Sequence, residues 1–243
     1  MPARKLTAKE LELDYFRIYK VKIIKPKEDV DMELQGQFDN GVPKKFLLGN
    51  LEYFAVRAAK EAETLYDENA HLTWYSGKQS RVEMRRVVRV WVDNQFGSTE
   101  LRLKYDENAK DAPGLLVPTE KIERLSAFPE TLDHYKLYKV QEGAKFDQRT
   151  LRLKDQFLSD TVVLGMPKWF AVPVHKRRGK EEHVIQNRRG AHLVIYDITP
   201  QSELRKELTL SNQFGKKIKV SLMQSVMLAA PSRKIRWNPE QPR

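Results

Sequence analysis

Cysteine is absent from this chain of 243 residues. That excludes disulfides, thiolate nucleophiles and cysteine-ligated metal together. Long apolar runs are missing too, so no membrane span is expected. The first ten residues carry charge with no apolar stretch behind them, which is not the pattern of a secretory signal. A cytoplasmic location is therefore favoured, with export as the alternative if a signal has been cut away. No Gly-rich phosphate loop, Gly-x-Ser-x-Gly elbow or His-Glu-x-x-His occurs. The acidic clusters Glu28-Asp29-Val30-Asp31 and Tyr105-Asp106-Glu107-Asn108 lack the glycine and terminal glutamate of a calcium loop and read as solvated turns. His175 and His183 have no second ligand at helical spacing, so no metal, cofactor or catalytic residue is assigned. Hydrophobic residues at 40% suffice for cores, and alternation persists through the 32% of charged residues, which argues against disorder.

What is present is a repeat. The pair Gln-Phe returns as Gln37-Phe38, Gln95-Phe96, Gln156-Phe157 and Gln213-Phe214, at intervals of 58, 61 and 57 residues. Tyr19, Tyr75, Tyr138 and Tyr196 keep the same phase, each preceded four residues earlier by Tyr15, His71, His134 or His192. Three copies close on a Pro-bearing apolar segment, Leu115 to Pro118, Phe170 to Pro173 and Leu228 to Pro231, where the first has Phe54-Ala55-Val56-Arg57. A period of about 60 residues marks one supersecondary unit used four times, and residues filled alike in every copy serve the fold. The repeated histidines are accordingly read as structural, with ring stacking and a hydrogen bond to a neighbouring strand.

Within each copy the apolar positions alternate, as in Val90-Val92-Asn94-Phe96 and Leu208-Leu210-Asn212-Phe214, which specifies half-buried strands. The glycine or polar residue after each phenylalanine opens a turn, so a hairpin follows. Each opening strand places Ile18, Trp74, Leu137 or Ile195 on one face and the tyrosine on the other. Residues 51–66 would be a helix by propensity, but the repeat phase predicts an extended start and a short helix only after Arg57. Leu13 to Val21 matches Leu132 to Val140, and the second copy pairs better with the fourth, so the chain reads as a duplicated pair. The expected class is all-β: two tandem β-sandwich or flattened-barrel domains, each of two repeats. Their bounds are residues 13–129 and 130–237, with an N-terminal arm at 1–12 and a tail at 238–243.

Charge divides unequally. Residues 1–129 carry 22 Lys+Arg against 21 Asp+Glu, whereas residues 130–243 carry 22 against 12. The stretch from His175 to Arg189 stands outside the repeat and reads as a basic finger. Candidate contacts with a polyanion or partner are Lys176, Arg177, Arg178, Lys180, Arg188, Arg189, Lys216 and Lys217, with supporting charge from Lys219, Arg233, Lys234 and Arg236. Only Trp237 is an aromatic close by, so base stacking on a single strand is not indicated.

A strand ending in Tyr-Lys-Val, a later Asp/Asn-Gln-Phe-Gly and a closing Leu-x-x-Pro-x-x-Lys resemble an uncharacterised family of tandem β-repeat domains found in bacterial, mostly secreted, proteins. Asp133 to Val140, Asp155-Gln156-Phe157, Pro173 to Lys176, His192-Leu193 and Ser211 to Gly215 carry the resemblance best. It implies the repeat fold and no activity. Members usually bear a cysteine just before the strand tyrosine and another just before the closing proline segment, implying a disulfide within each repeat. Here those positions hold Ile18 and Ala55, Trp74 and Leu116, Leu137 and Ala171, and Ile195 and Ala229. Burying the larger side chain, worth about 1.5–3 kcal/mol, would offset part of the ~2–4 kcal/mol a disulfide supplies. The four pairs are expected to touch.

The function expected from these features is a non-catalytic structural or interaction protein, a subunit of a larger assembly with protein partners or copies of itself. The alternative is polyanion binding, to nucleic acid, through the basic second half. No small-molecule substrate is inferred.

Overall fold

A computed structural model of the protein describes residues 6–23, 30–39, 41–60, 66–67, 69–79, 88–104, 114–122, 127–141, 146–187 and 189–239. Among the described residues, one turn of helix, α1 (Ala8–Leu11), precedes sixteen strands. The first repeat contributes β1 (Tyr15–Ile23), β2 (Val30–Gln35) and β3 (Lys44–Lys60). The second contributes β4 (His71–Gln79), β5 (Val88–Asn94), β6 (Gly97–Lys104), β7 (Leu115–Pro118) and β8 (Glu120–Lys121). From the third come β9 (Tyr135–Val140), β10 (Arg149–Lys154), β11 (Ser159–Pro173), β12 (His175–Arg178) and β13 (Glu181–His183). The fourth holds β14 (Ala191–Thr199), β15 (Glu203–Asn212) and β16 (Gly215–Pro239).

Each repeat gives its opening and closing strands to one ring. Around it run β1, β3, β4, β7, β9, β11, β14 and β16, each antiparallel to the next. The ring closes where β16 pairs β1 from Phe16↔Ala229 to Ile23↔Val220. The all-β class is as expected, but pairing does not divide at residues 129 and 130. β7 and β6 both pair β9 across that point, β5 pairs β16, and β2 pairs β12. Instead of two sandwiches, the four repeats close one eight-stranded barrel. Two repeats alone would leave four ring strands with open edges; four repeats abolish the edges and give a bore that side chains can fill.

The bore is filled by the four pairs that the resemblance sets at the positions of a disulfide. Ile18↔Ala55, Trp74↔Leu116, Leu137↔Ala171 and Ile195↔Ala229 are all register partners on neighbouring strands. All eight belong to the central core. A large residue on the opening strand faces a small one on the closing strand in three repeats. The fourth case, Trp74 against Leu116, is accommodated by Gly114. A Cβ there would lie 2.5 Å from Trp74 Nε1 and 2.8 Å from Leu137 Cδ1.

Outside the ring, the four hairpins pack in two separate clusters. Those of the second and third repeats bury Val90, Val92, Leu151 and Leu153, and those of the first and fourth bury Met32, Leu34, Leu208 and Leu210. β3 stays extended through Lys60, because Ala58 pairs Tyr15 of β1 and Lys60 pairs Leu153 of β10. Ladder hydrogen bonds thus override helix propensity at residues 58–60, and residues 61–65 lie outside the described residues. So do Glu28, Asp29 and residues 105–108, expected in turns, together with residues 1–5 and 240–243.

Residues 6–12 of the segment expected to be an arm are docked. Thr7 and Glu10 form a capping box on α1, and Leu6, Leu11 and Leu13 are buried in the central core. At the other terminus, β16 continues through Asn238, which pairs Arg89 of β5, so the expected tail begins inside a strand.

Candidate functional site

The repeated polar residues bind one repeat to the next. Gln156 Nε2 meets His71 Nε2 at 3.0 Å, Gln37 Nε2 meets His192 Nε2 at 2.9 Å, Gln213 meets His134, and Tyr15 donates to Gln95. Every glutamine therefore reaches the imidazole or phenol of the preceding repeat, and the first repeat reaches the fourth. His71 and His192 each have Nδ1 at a backbone carbonyl, of Asn69 at 2.8 Å and of Gly190 at 2.7 Å. Nδ1 donates there, so Nε2 accepts from the glutamine and the ring is neutral. Both rings also stack parallel to a phenylalanine, Phe54 and Phe170 respectively. Burial pushes both down to about 4, aided by Lys121 and Lys234, and holds His134 well below the usual histidine range.

The phenylalanines skip one repeat further. Phe38, Phe96, Phe157 and Phe214 stand edge-on to Tyr138, Tyr196, Tyr19 and Tyr75, with centroids 5.2, 5.5, 5.8 and 5.7 Å apart. Asn94 and Asn212 accept from the backbone N–H two residues on and donate to the hydroxyls of Tyr196 and Tyr75, both at 2.9 Å. Asp155 accepts from Phe157 N–H and from the Tyr19 hydroxyl at 2.7 Å. The first repeat has Gly36 at this position, and its backbone N–H donates to Asp39 instead.

The duplicated pairing shows in the charges beneath this layer. Repeats one and three face each other through buried ion pairs. Arg17 Nε lies 3.3 Å from Asp155 and Nη2 lies 2.5 Å from Asp160, and Lys136 Nζ lies 3.1 Å from Asp39. Repeats two and four use Thr73 and Val194 at the equivalent positions, with Asn212 and Asn94 opposite. Asp14 and Asp133 also match. Each accepts two backbone N–H groups, from Tyr66 and Asp67 or from Gln186 and Asn187, while burial raises both carboxyls.

A lysine three residues after each closing segment completes the cycle. Lys60, Lys121 and Lys176 lie over Phe96, Phe157 and Phe214 of the next repeat, at 5.7, 5.6 and 5.2 Å. Lys121 also donates to Gln156, and Lys234 donates to Gln37.

Lys176 thus belongs to the scaffold. It is 1% exposed, its Nζ has no hydrogen-bond partner among the described residues, and burial lowers it to about 7. Arg177 is tied to Glu33 of β2 through Nε at 2.9 Å and through Nη2. The basic stretch is a hairpin rather than a loose finger: β12 pairs β13 and extends β2, turning at Gly179 with φ 58°. Arg178 and Lys180 are exposed at that turn, and Lys216 and Lys217 are exposed at the start of β16. Arg189 Nε pairs Glu12 at 3.1 Å. Arg188 lies outside the described residues.

Sequence reasoning did not bring together a cleft of about 690 Å³, in which Gln37, His175, Arg189, Arg233 and Lys234 converge with no carboxylate among its lining residues. Lys234 was signalled by the Pro-x-x-Lys phase and by the cluster of charge around it. Among the described residues, no group of three or more His, Cys, Asp or Glu stands close enough to hold a metal ion, and no helix is long and apolar enough to cross a membrane.

Comparison with known proteins finds no match among curated proteins or solved structures. The family model described as Repeat of unknown function (DUF7450) matches residues 71–237, which takes in the second, third and fourth repeats. The chain belongs to that repeat family.

Proposed function

We propose that the protein is a non-catalytic structural or interaction protein, a tandem-repeat subunit of a larger assembly. The supporting observation is where its polar groups are spent. The repeated Gln, His, Tyr, Asn/Asp and Lys residues bond one repeat to another, which leaves the parts that break the fourfold pattern to face a partner. The β12–β13 hairpin is one of these. Among the described residues β13 pairs β12 alone, so its outer edge is open to a strand of another chain. Light scattering on protein purified without nuclease tests the reading. A mass well above the 28.5 kDa of one chain, with a protein-like absorbance ratio, is expected; a monomer at all concentrations and salts would count against it.

Polyanion binding is the second reading. Arg178, Lys180, Lys216 and Lys217 are exposed and make no ion pair among the described residues. Affinity for duplex DNA or RNA would fall with salt, and each phosphate contact adds about 0.9 to the log-log slope. Arg178→Glu with Lys180→Glu would lower that slope by about two. Undetectable binding at low salt would end this reading.

A further inference from the structure

The cationic cleft lies beside a break in the fourfold pattern. Between β2 and β3 run residues 36–43, whereas the other three hairpins turn over the two to four residues between β5 and β6, β10 and β11, or β15 and β16. Gly36 and Gly41 from this longer turn line one wall. Gly190 and Arg189, just before β14, form another, and Arg233 and Lys234 of β16 complete it.

We infer that this cleft is a binding site for a small multivalent oxyanion, a molecule bearing two or more phosphate or carboxylate groups. Five of the lining side chains are basic or imidazole, His175, His192, Arg189, Arg233 and Lys234, and none is acidic. Arg233 makes no ion pair among the described residues, although Asp93 is its register partner on β5. Lys234 is half-buried and donates to Gln37, and burial lowers its pKa. An approaching anion favours the charged form of an amine held in that setting. Arg189 keeps its terminal nitrogens beyond the Glu12 contact made through Nε. The volume falls within the ~300–1,000 Å³ of pockets that hold whole small molecules, far more than one phosphate group needs. Val172, Pro173 and Ile185 supply an apolar wall against which a carbon skeleton could rest. A site of this kind requires neither the assembly contact nor nucleic-acid binding.

Titration calorimetry on the full chain at low salt tests it, with sodium tripolyphosphate and citrate as probes. Saturable binding of either at one site is expected, and which of them binds separates a phosphate from a carboxylate ligand. Arg233→Glu should weaken that binding about tenfold. Arg152→Glu, an equal charge change on an exposed residue of β10 outside the cleft, should alter it less than about twofold. Thermal melts establish that both variants fold, and Arg233→Gln serves if the reversal does not. No saturable heat with either probe, or an equal loss in the Arg152 and Arg233 variants, would overturn the assignment.

Discussion

Replacing Asp155 by asparagine should be one of the most damaging conservative changes available to this fold. Arg17 and Asp155 both have fully buried side chains, with Nε 3.3 Å from the carboxylate. Asparagine keeps the Oδ1 that accepts from Phe157 N–H, as Asn94 and Asn212 do in their repeats. It would, however, turn a donating amide or a neutral oxygen toward the guanidinium, leaving Asp160 as the one carboxylate beside a buried cation. Removing one partner of a buried pair costs about 3–5 kcal/mol, and in a chain of this size each kcal/mol moves Tm by about 2–4 °C. Asp155→Asn should therefore lower Tm by roughly 6–20 °C. Arg17→Val added to it recreates the neutral arrangement of Val194 opposite Asn94, and Asp160 keeps its hydrogen bond from Ser202 at 2.6 Å. The double variant should return to within about 2 kcal/mol of the parent in calorimetry or urea unfolding. A single variant that melts like the parent, or a double variant less stable than the single, would refute the reasoning.

Acid should unfold the protein earlier than its carboxylates alone would require. His71 and His192 sit at about 4 when folded against 6.5 for the free side chain, so the unfolded chain binds more protons between those values. The contribution is complete above about pH 6.5 and is lost as pH falls toward 4, at about 3 kcal/mol for each ring. Urea midpoints at pH 7.5 and 4.5 should differ accordingly, and His192→Tyr, the residue type that the first repeat uses at Tyr15, should shrink the difference; a flat profile would contradict the neutral-ring assignment. Gly114→Ala should cost about 1–3 kcal/mol, because its Cβ would meet the Trp74 indole and Leu137. Trp74→Leu should restore most of that loss in a melting experiment, and no restoration would show that the clash lies elsewhere.

The sequence was legible wherever a position recurs. Spacing alone assigned Gln156, His71 and Tyr138 to the scaffold, and the resemblance placed Ile18 beside Ala55, where the ladder puts them. The cyclic offset was not legible. A hairpin that packs on its own repeat and one that packs on the next have the same alternation, and so do two closed pairs and one closed set of four. Only the bore distinguishes them, and its width depends on strands far apart in the chain. Lys176 was read as surface charge because it lies in a run of cations, although its phase matches Lys60 and Lys121, which also lie over phenylalanines. His175, Arg189 and Arg233 were visible as charges, but their convergence with the turn after β2 depends on closure of the ring.

Closure is tested most directly by a disulfide across the seam between the first and fourth repeats. Lys22 and Ser221 are register partners on β1 and β16, and neither is buried. Directly opposed residues in an antiparallel pair have Cα atoms about 4.5–5.5 Å apart, within the range a disulfide spans. The chain has no other cysteine, so Lys22→Cys with Ser221→Cys gives an unambiguous product by mass spectrometry after mild oxidation. A single ring predicts rapid and complete intramolecular bonding within each folded chain. Folded protein whose two thiols stay free, or pair only between molecules, would contradict it.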